Sequence, residues 1–245
     1  MPYLSVIIPA YNEEHRLPQT LHSVYDYLQS SGKTFEIIIV DDGSTDHTQE
    51  VVQEFALHHE GLRLLSYAPN RGKGHAVRTG MLAARGDYLL LDDADGSSPI
   101  SEVEHLETAI RDGADLAIGS RNMPESNTKV KTVQYRKHMG NTFNVIVQSL
   151  LLPGIRDTQC GFKLFKHEVA NDIFSVCTQS GFAFDVEVLY IARMRGYKIS
   201  EIAIKWTNVG GSKVDVVFDS ARMFLQVLRI KVGSWFGKYK KLVRS

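Results

Sequence analysis

Residues 89–99 read LLLDDADGSSP, an apolar run that ends in the carboxylates of Asp92, Asp93 and Asp95. Like charges this close in a partly desolvated place repel one another, and they persist only when something positive joins them. Asp93 and Asp95, one residue apart on a turn, can both reach a single hard cation. Mg²⁺ or Mn²⁺ prefers such oxygen ligands together with the phosphates of a substrate. Two other apolar runs end in the same way, in PAYNEE (9–14) and VDDGSTD (40–46). Convergence of these ends on one edge makes a shared ligand site the expectation. Taken alone, DDGST is also an ordinary turn with a helix cap.

The elements that must position these carboxylates alternate along the chain. LSVIIPA (4–10), FEIIIV (35–40), LRLLSY (62–67), DYLLL (87–91) and ADLAIGS (114–120) read as strands, and helical patterns fall at 17–29, 46–58, 74–84 and 99–111. Runs apolar on both faces predict a mostly parallel sheet covered by helices. Asp46 is placed to cap the second helix and Ser98 the fourth, with Pro99 at its first position. The acidic stretches then sit at strand C-terminal ends, where open α/β sheets bind ligands. Beyond Ser120 the pattern changes to an amphipathic helix over 136–152, the run GIRDTQCGFKLF (154–165), a helix over about 183–195 and a strand EIAIKW (201–206).

The 245 residues carry 28 Lys and Arg against 28 Asp and Glu, so nothing in the total points to a nucleic-acid partner. Cys160 and Cys177 lack metal-site spacing and read as free thiols of a reducing compartment. The N-terminus has no secretory signal pattern, and no apolar run approaches the roughly 18 residues of a membrane span. The last stretch, RMFLQVLRIKVGSWFGKYKKLVRS, has seven cations and no acid. As a helix it gathers Phe224, Leu228, Trp235 and Leu242 near one face, with Gly233 and Gly237 as points where it could bend.

Through VIIPAYNE, VDDGSTD, NRGKGHAVRTGM, DADGSSP, GSR, IRDTQCGFKLF, AFDVEVLYIA and EIAIKWTNVGGSK, the chain resembles the inverting glycosyltransferases of family 2. Within that family it is similar to the dolichyl-phosphate β-glucosyltransferases and other polyprenyl-phosphate glycosyltransferases. The resemblance implies an α/β GT-A fold: a glycosyltransferase domain over 1–217, with a nucleotide-sugar half (1–120) and an acceptor half (121–217), and a basic amphipathic tail over 218–245. It implies metal-dependent transfer of a hexose, glucose from UDP-glucose, to a polyprenyl or dolichyl phosphate. Pro9, Tyr11, Glu13, Asp41 and Asp42 would hold the nucleoside, and Lys73, on a glycine-rich turn opening a helix, would meet the diphosphate. Asp93 and Asp95 would bind Mg²⁺ or Mn²⁺ that steadies the leaving diphosphate, with Asp95 also counted as catalytic. Arg121, Arg136 and Lys213 would face the acceptor phosphate, since an arginine fork suits it. Asp157 would be the catalytic or positioning carboxylate. Lys73 and the three acceptor cations also admit a plainer reading, as solvated surface charges.

Asp185 and Glu187 read as packing and capping groups at a helix start, and Trp206 as a core residue. The family's eukaryotic glucosyltransferases look membrane-anchored at the N-terminus, whereas this chain begins at its first strand. Peripheral docking through the tail on the cytosolic face of a membrane is therefore the expectation. Three rival readings stay open. DxDGS also opens the haloacid-dehalogenase phosphohydrolases, although there the motif follows the first strand. A GT-A transferase could use GDP-mannose or a hydroxyl acceptor, with Asp157 or Asp185 as base. The chain could also bind nucleotide without catalysing transfer.

Overall fold

A computed structural model describes residues 1–123, 128–129, 147–209 and 216–239, with 128–129 and 216–224 as backbone alone. The strands are β1 (Leu4–Ala10), β2 (Phe35–Asp41), β3 (Leu62–Ser66), β4 (Tyr88–Leu91), β5 (Leu116–Ser120), β6 (Thr128–Lys129), β7 (Lys163–Lys166), β8 (Ile199–Ala203) and β9 (Trp206–Thr207). The helices are α1 (Leu17–Ser30), α2 (Thr48–His58), α3 (Lys73–Ala83), α4 (Val103–Arg111), α5 (His167–Phe174), α6 (Phe184–Met194) and α7 (Val216–Trp235). The five strands and four helices expected over residues 4–120 lie within a few residues of their predicted bounds. The cap position of α2 is His47; Asp46, one residue earlier, accepts a hydrogen bond from the Thr48 N–H that opens the helix. Ser98 makes no such bond; the fourth helix opens instead on a tight turn over Ile100–Glu102, with Pro99 just outside it. The predicted strand 201–206 is split, because β8 ends at Ala203 and Trp206 pairs with β6 instead.

Side-chain alternation explains why these runs are apolar throughout. Ile7, Ile38, Val40, Leu89 and Leu91 face one side of the sheet and pack with Val77 and Met81 of α3, Val169 and Ile173 of α5 and Leu189 of α6. Val6, Ile8, Ile37, Ile39 and Leu90 face the other side and meet Leu21 and Val24 of α1, Val52 of α2 and Leu106 and Ile110 of α4. Both faces of the sheet are thereby removed from water, and a polar residue at either set of positions would be stranded.

The sheet order is β3-β2-β1-β4-β7-β5-β8. Every pairing in it is parallel except those of β7, which runs antiparallel between β4 and β5. Reversal of that one strand decides the site. Lys163, the first residue of β7, lies opposite Leu91, the last residue of β4. The loop leading into β7, residues 155–162, therefore arrives at the edge where the parallel strands end, beside Asp92–Asp95. Residues from the two predicted halves thus complete one sheet.

The tail contributes to the same core. Val227 and Ile230 of α7 are buried with α6, and Tyr239 is fully buried beyond the helix end. Helix α7 runs through Gly233 to Trp235; the chain then turns at Gly237, whose φ of 77° suits glycine, and brings Tyr239 back onto the domain.

Candidate active site

The C-terminal ends of β1, β2, β4 and β5 deliver their polar residues to one edge, as the sequence pattern requires. Pro9 sits inside β1 opposite Val40. The carbonyl of Ile7 accepts from Asp92 N–H, so Pro9, two residues on, faces the side where β4 has already ended. Its missing N–H forfeits no ladder bond. Asn12 takes a left-handed φ of 53° and is held there by Ser44 and Thr45, to which it is hydrogen-bonded at 2.8 and 2.7 Å. Beside this bend the Tyr11 ring stands exposed. Glu13 accepts from Arg16 Nε at 2.6 Å.

Asp41 and Asp42 are buried, with their carboxylates bonded within the protein. Asp41 accepts from Gln49 Nε2 at 2.6 Å and from Ser44 N–H. Asp42 accepts from Arg71 N–H and Gly72 N–H, both at 2.8 Å. These two carboxylates thus pin the turns at Ser44 and at Arg71–Gly72. They also place the residue that follows Gly72, which is Lys73.

Lys73 opens α3, and its Nζ lies 2.6 Å from Asp93 Oδ1. Burial pulls its pKa down, but Asp93 and Asp185 more than offset this and leave it above the ordinary lysine value. The N–H groups of Gly74 and His75 in this first turn donate to the Ser180 carbonyl. Those two amides are therefore already paired within the protein.

In the acidic stretch, Asp92 and Ala94 are buried while Asp93 and Asp95 turn partly outward. Burial, reinforced by Asp93 and Asp95, drives the Asp92 carboxyl well above the usual carboxylate range. Asp95 Oδ1 accepts from Ser97 N–H at 2.9 Å. A β-carbon added at Gly161 would overlap the Asp93 carboxylate, so that carboxylate lies directly on the Gly161 backbone. Asp93 and Asp95, two hard oxygen donors on one turn and each partly exposed, fit a divalent cation and would hold one there. Among the described residues no group of three or more His, Cys, Asp or Glu gathers as a self-sufficient metal cage.

In the portion beyond Ser120, Asp157 is fully buried and grips Arg121 bidentately, receiving Nε at 2.7 Å and Nη2 at 2.9 Å. Arg121 N–H adds a third bond at 2.9 Å. Burial alone would raise the Asp157 carboxyl; the Arg121 charge and hydrogen bonds outweigh it and hold it below the usual range. The Arg121 guanidinium also lies 5.4 Å from the Trp206 ring centroid, so Trp206 is half-buried on the rim and not in the core as expected. Arg136 and Lys213 lie outside the described residues.

Two cations that sequence reasoning passed over belong to this edge. Lys163, 1 % exposed, donates to Asp185 Oδ1 at 2.6 Å and to the Cys160 carbonyl. Its signal was a lysine inside the otherwise apolar GFKLF. Arg16 pairs with Glu13, and its charge also feels Asp95 and Asp93. The signal there was the Glu-x-x-Arg spacing at a helix start.

The glycosyl transferase family 2 model matches residues 5–174, which takes in β1 through α5 and every acidic strand end. The chain belongs to glycosyl transferase family 2. This family 2 chain is 40% identical to a dolichyl-phosphate beta-glucosyltransferase of Dictyostelium discoideum, over 97% of its own length and 76% of the relative's. It is 38% identical to the human protein of that name, over 95% and 77% of the two chains. The Saccharomyces cerevisiae protein of that name matches at 38%, over 97% and 77%. Among solved structures, glucosyl-3-phosphoglycerate synthase from Mycobacterium tuberculosis, crystallised with Mn²⁺, UDP-glucose and phosphoglyceric acid, superposes with a TM-score of 0.71 at 19% identity, covering 95% of this chain and 80% of that one. The fold is that of GT-A glycosyltransferases, and the chain is a glycosyltransferase.

Proposed function

We propose that this family 2 transferase moves glucose from UDP-glucose to a dolichyl or related polyprenyl phosphate with inversion, from the α-linked donor to a β-linked product. The observation that carries this reading is the state of the two acceptor-side carboxylates. Asp157 and Asp185 are each engaged in a buried ion pair, with Arg121 and Lys163. A hydroxyl acceptor requires a base to take its proton as it attacks. A lipid phosphate is ionised at neutral pH and requires none, and the names of the curated relatives agree with it.

In this reading Tyr11 lines the nucleoside side, with Glu13, Asp41 and Asp42 fixing its walls around Pro9. Lys73 attracts the diphosphate. A divalent cation bound by Asp93 and Asp95 neutralises charge on the leaving diphosphate. Arg121, oriented by Asp157 and 30% exposed, holds the acceptor phosphate on the opposite side of the sugar, with Arg136 and Lys213 as further cations. Asp157 is thereby a positioning residue for Arg121.

The acceptor also sets where the enzyme works. No described helix is long and apolar enough to cross a membrane. Yet Leu225, Leu228, Val232, Trp235 and Phe236 stand exposed along and just beyond α7, with Trp235 and Phe236 at 75% and 86%. Arg229, Lys231 and Lys238 flank them. That combination suits docking on an anionic leaflet, on the cytosolic face where nucleotide sugars are supplied.

The test is a donor screen, UDP-glucose against GDP-mannose, with polyprenyl phosphate in detergent and product mass as the readout. Glucosyl transfer to the lipid phosphate is the expected result. Turnover with free sugar acceptors instead, or release of inorganic phosphate, overturns the reading.

A further inference from the structure

The tail reaches the donor site through one buried carboxylate. Glu187, on the first turn of α6, is fully buried and accepts four hydrogen bonds. Thr178 N–H and Oγ1 donate at 2.8 Å each, Gln179 N–H at 2.7 Å and the phenol of Tyr239 at 2.7 Å. Lys238 Nζ adds a bond to Thr178 Oγ1 at 2.7 Å. The same loop then meets α3: the Ser180 carbonyl receives Gly74 N–H at 2.7 Å and His75 N–H at 3.3 Å. There is no slack in this contact. A β-carbon at Gly72 would strike the Ser180 carbonyl, and one at Gly74 the Gln179 carbonyl.

Lys73 stands between those two glycines. Its backbone is therefore clamped from both sides, by Asp42 at Arg71 and Gly72 and by the 178–181 loop at Gly74 and His75. We propose that Tyr239 and Glu187 are positioning residues for Lys73: seating of the C-terminal tail on Glu187 fixes the 178–181 loop, and the loop fixes the lysine that meets the donor diphosphate. The inference rests on the donor role given above to Lys73. It adds that the segment beyond α7, far along the chain from the chemistry, sets donor affinity. The bonds from Tyr239 and the loop to Glu187 are short and end on a fully buried carboxylate, and the loop meets α3 through backbone hydrogen bonds and two steric stops, so displacement at one end must be taken up at the other.

The experiment uses the full chain and four variants. Tyr239→Phe removes one hydroxyl and keeps the ring; Glu187→Gln changes the acceptor; Tyr190→Phe removes the neighbouring phenol bond from the same helix pair, to Ser234 Oγ, which is not part of the relay. Lys73→Gln tests the donor role itself. Amide hydrogen exchange at Gly74 and His75 is read without ligand, and UDP affinity by calorimetry with Mn²⁺ present. In Tyr239→Phe, exchange of these two amides should quicken and the dissociation constant for UDP rise roughly tenfold, the scale of one hydrogen bond to a charged group. The KM for polyprenyl phosphate should not move. Glu187→Gln should show the same pattern more strongly, and Tyr190→Phe should match wild type in both readouts. Wild-type exchange in Tyr239→Phe, or the same change in Tyr190→Phe, overturns the relay. Should Lys73→Gln bind UDP as wild type does, the donor role of Lys73 fails, while the exchange measurement still decides whether the tail governs that turn.

Discussion

The Asp93 carboxylate rests on the α-carbon of Gly161, sixty-eight residues later in the chain, with no room between them for a β-carbon. The placement of the Asp93 carboxylate on the DxD turn thus depends on a residue that carries no side chain. Gly161→Ala should fold, because a short side chain can swing aside, yet it should weaken Mn²⁺-dependent UDP binding by roughly 10–100-fold, the usual cost of disturbing what orients a metal ligand. Calorimetry with and without Mn²⁺ measures this. Equal affinity in the alanine variant would detach Asp93 from the metal.

Asp92 and Asp95 should separate cleanly. Asp92 is buried behind the turn while Asp93 and Asp95 turn partly outward, so Asp92→Asn, of the same shape, should keep activity within about threefold. Asp95→Ala should lower kcat by two orders of magnitude or more, as expected for loss of charge stabilisation at the leaving group. Excess EDTA should act on wild type as the Asp95 substitution does. Steady-state assays of both variants, with and without chelator, check the assignment.

The Arg121–Asp157 pair predicts a pH signature. Its carboxyl pKa is depressed in the folded protein, so the stabilisation is fully present above the unfolded value of about 3.9 and is lost as pH falls through the lower folded value. Arg121→Ala leaves a buried carboxylate without its partner and should cost about 3–5 kcal/mol at pH 7. That deficit should shrink as the medium is acidified. Urea unfolding of both proteins across pH 3–7 tests the sign. For activity, Arg121→Lys keeps the charge and loses the fork, so the acceptor KM should rise with UDP affinity unchanged.

Removal of the two most exposed rings should uncouple the enzyme from lipid. Trp235→Ser with Phe236→Ser should abolish pelleting with anionic vesicles at low salt while leaving turnover of a short-chain polyprenyl phosphate in detergent near wild type. Sedimentation with anionic and neutral vesicles reads the first and product mass the second. Unchanged pelleting would assign that face to structure alone.

Much of this was legible in the residues. Strand–helix alternation is a local signal, and LSVIIPA, FEIIIV and DYLLL each announce a two-sided buried strand within seven residues or fewer. The convergence of their acidic ends followed from topology alone. What stayed hidden depends on distance. Arg121 and Asp157 look like two separate candidates, a phosphate ligand and a base, until the fold closes the 36 residues between them and joins them in one ion pair. The resemblance implies a nucleoside-holding role for Asp41 and Asp42; that their carboxylates also accept from backbone N–H groups at 44 and 71–72 depends on how distant loops fold back, which the sequence does not show. Lys163 was masked because a lysine in an apolar strand signals burial only once its partner, Asp185 on another helix, is known.

Strand β7 carries one more consequence. Because it lies between β4 and β5, the donor-side strands are not contiguous until the chain has been made past Lys166. A nascent chain stopping at β5 would present two bare sheet edges where one strand is missing, and bare edges recruit other chains. The donor and acceptor portions are therefore not modules that recombination could trade between relatives. The loop entering β7 lies directly against the Asp93 carboxylate, so on the proposed reading a substitution in that loop should alter acceptor preference and donor handling together.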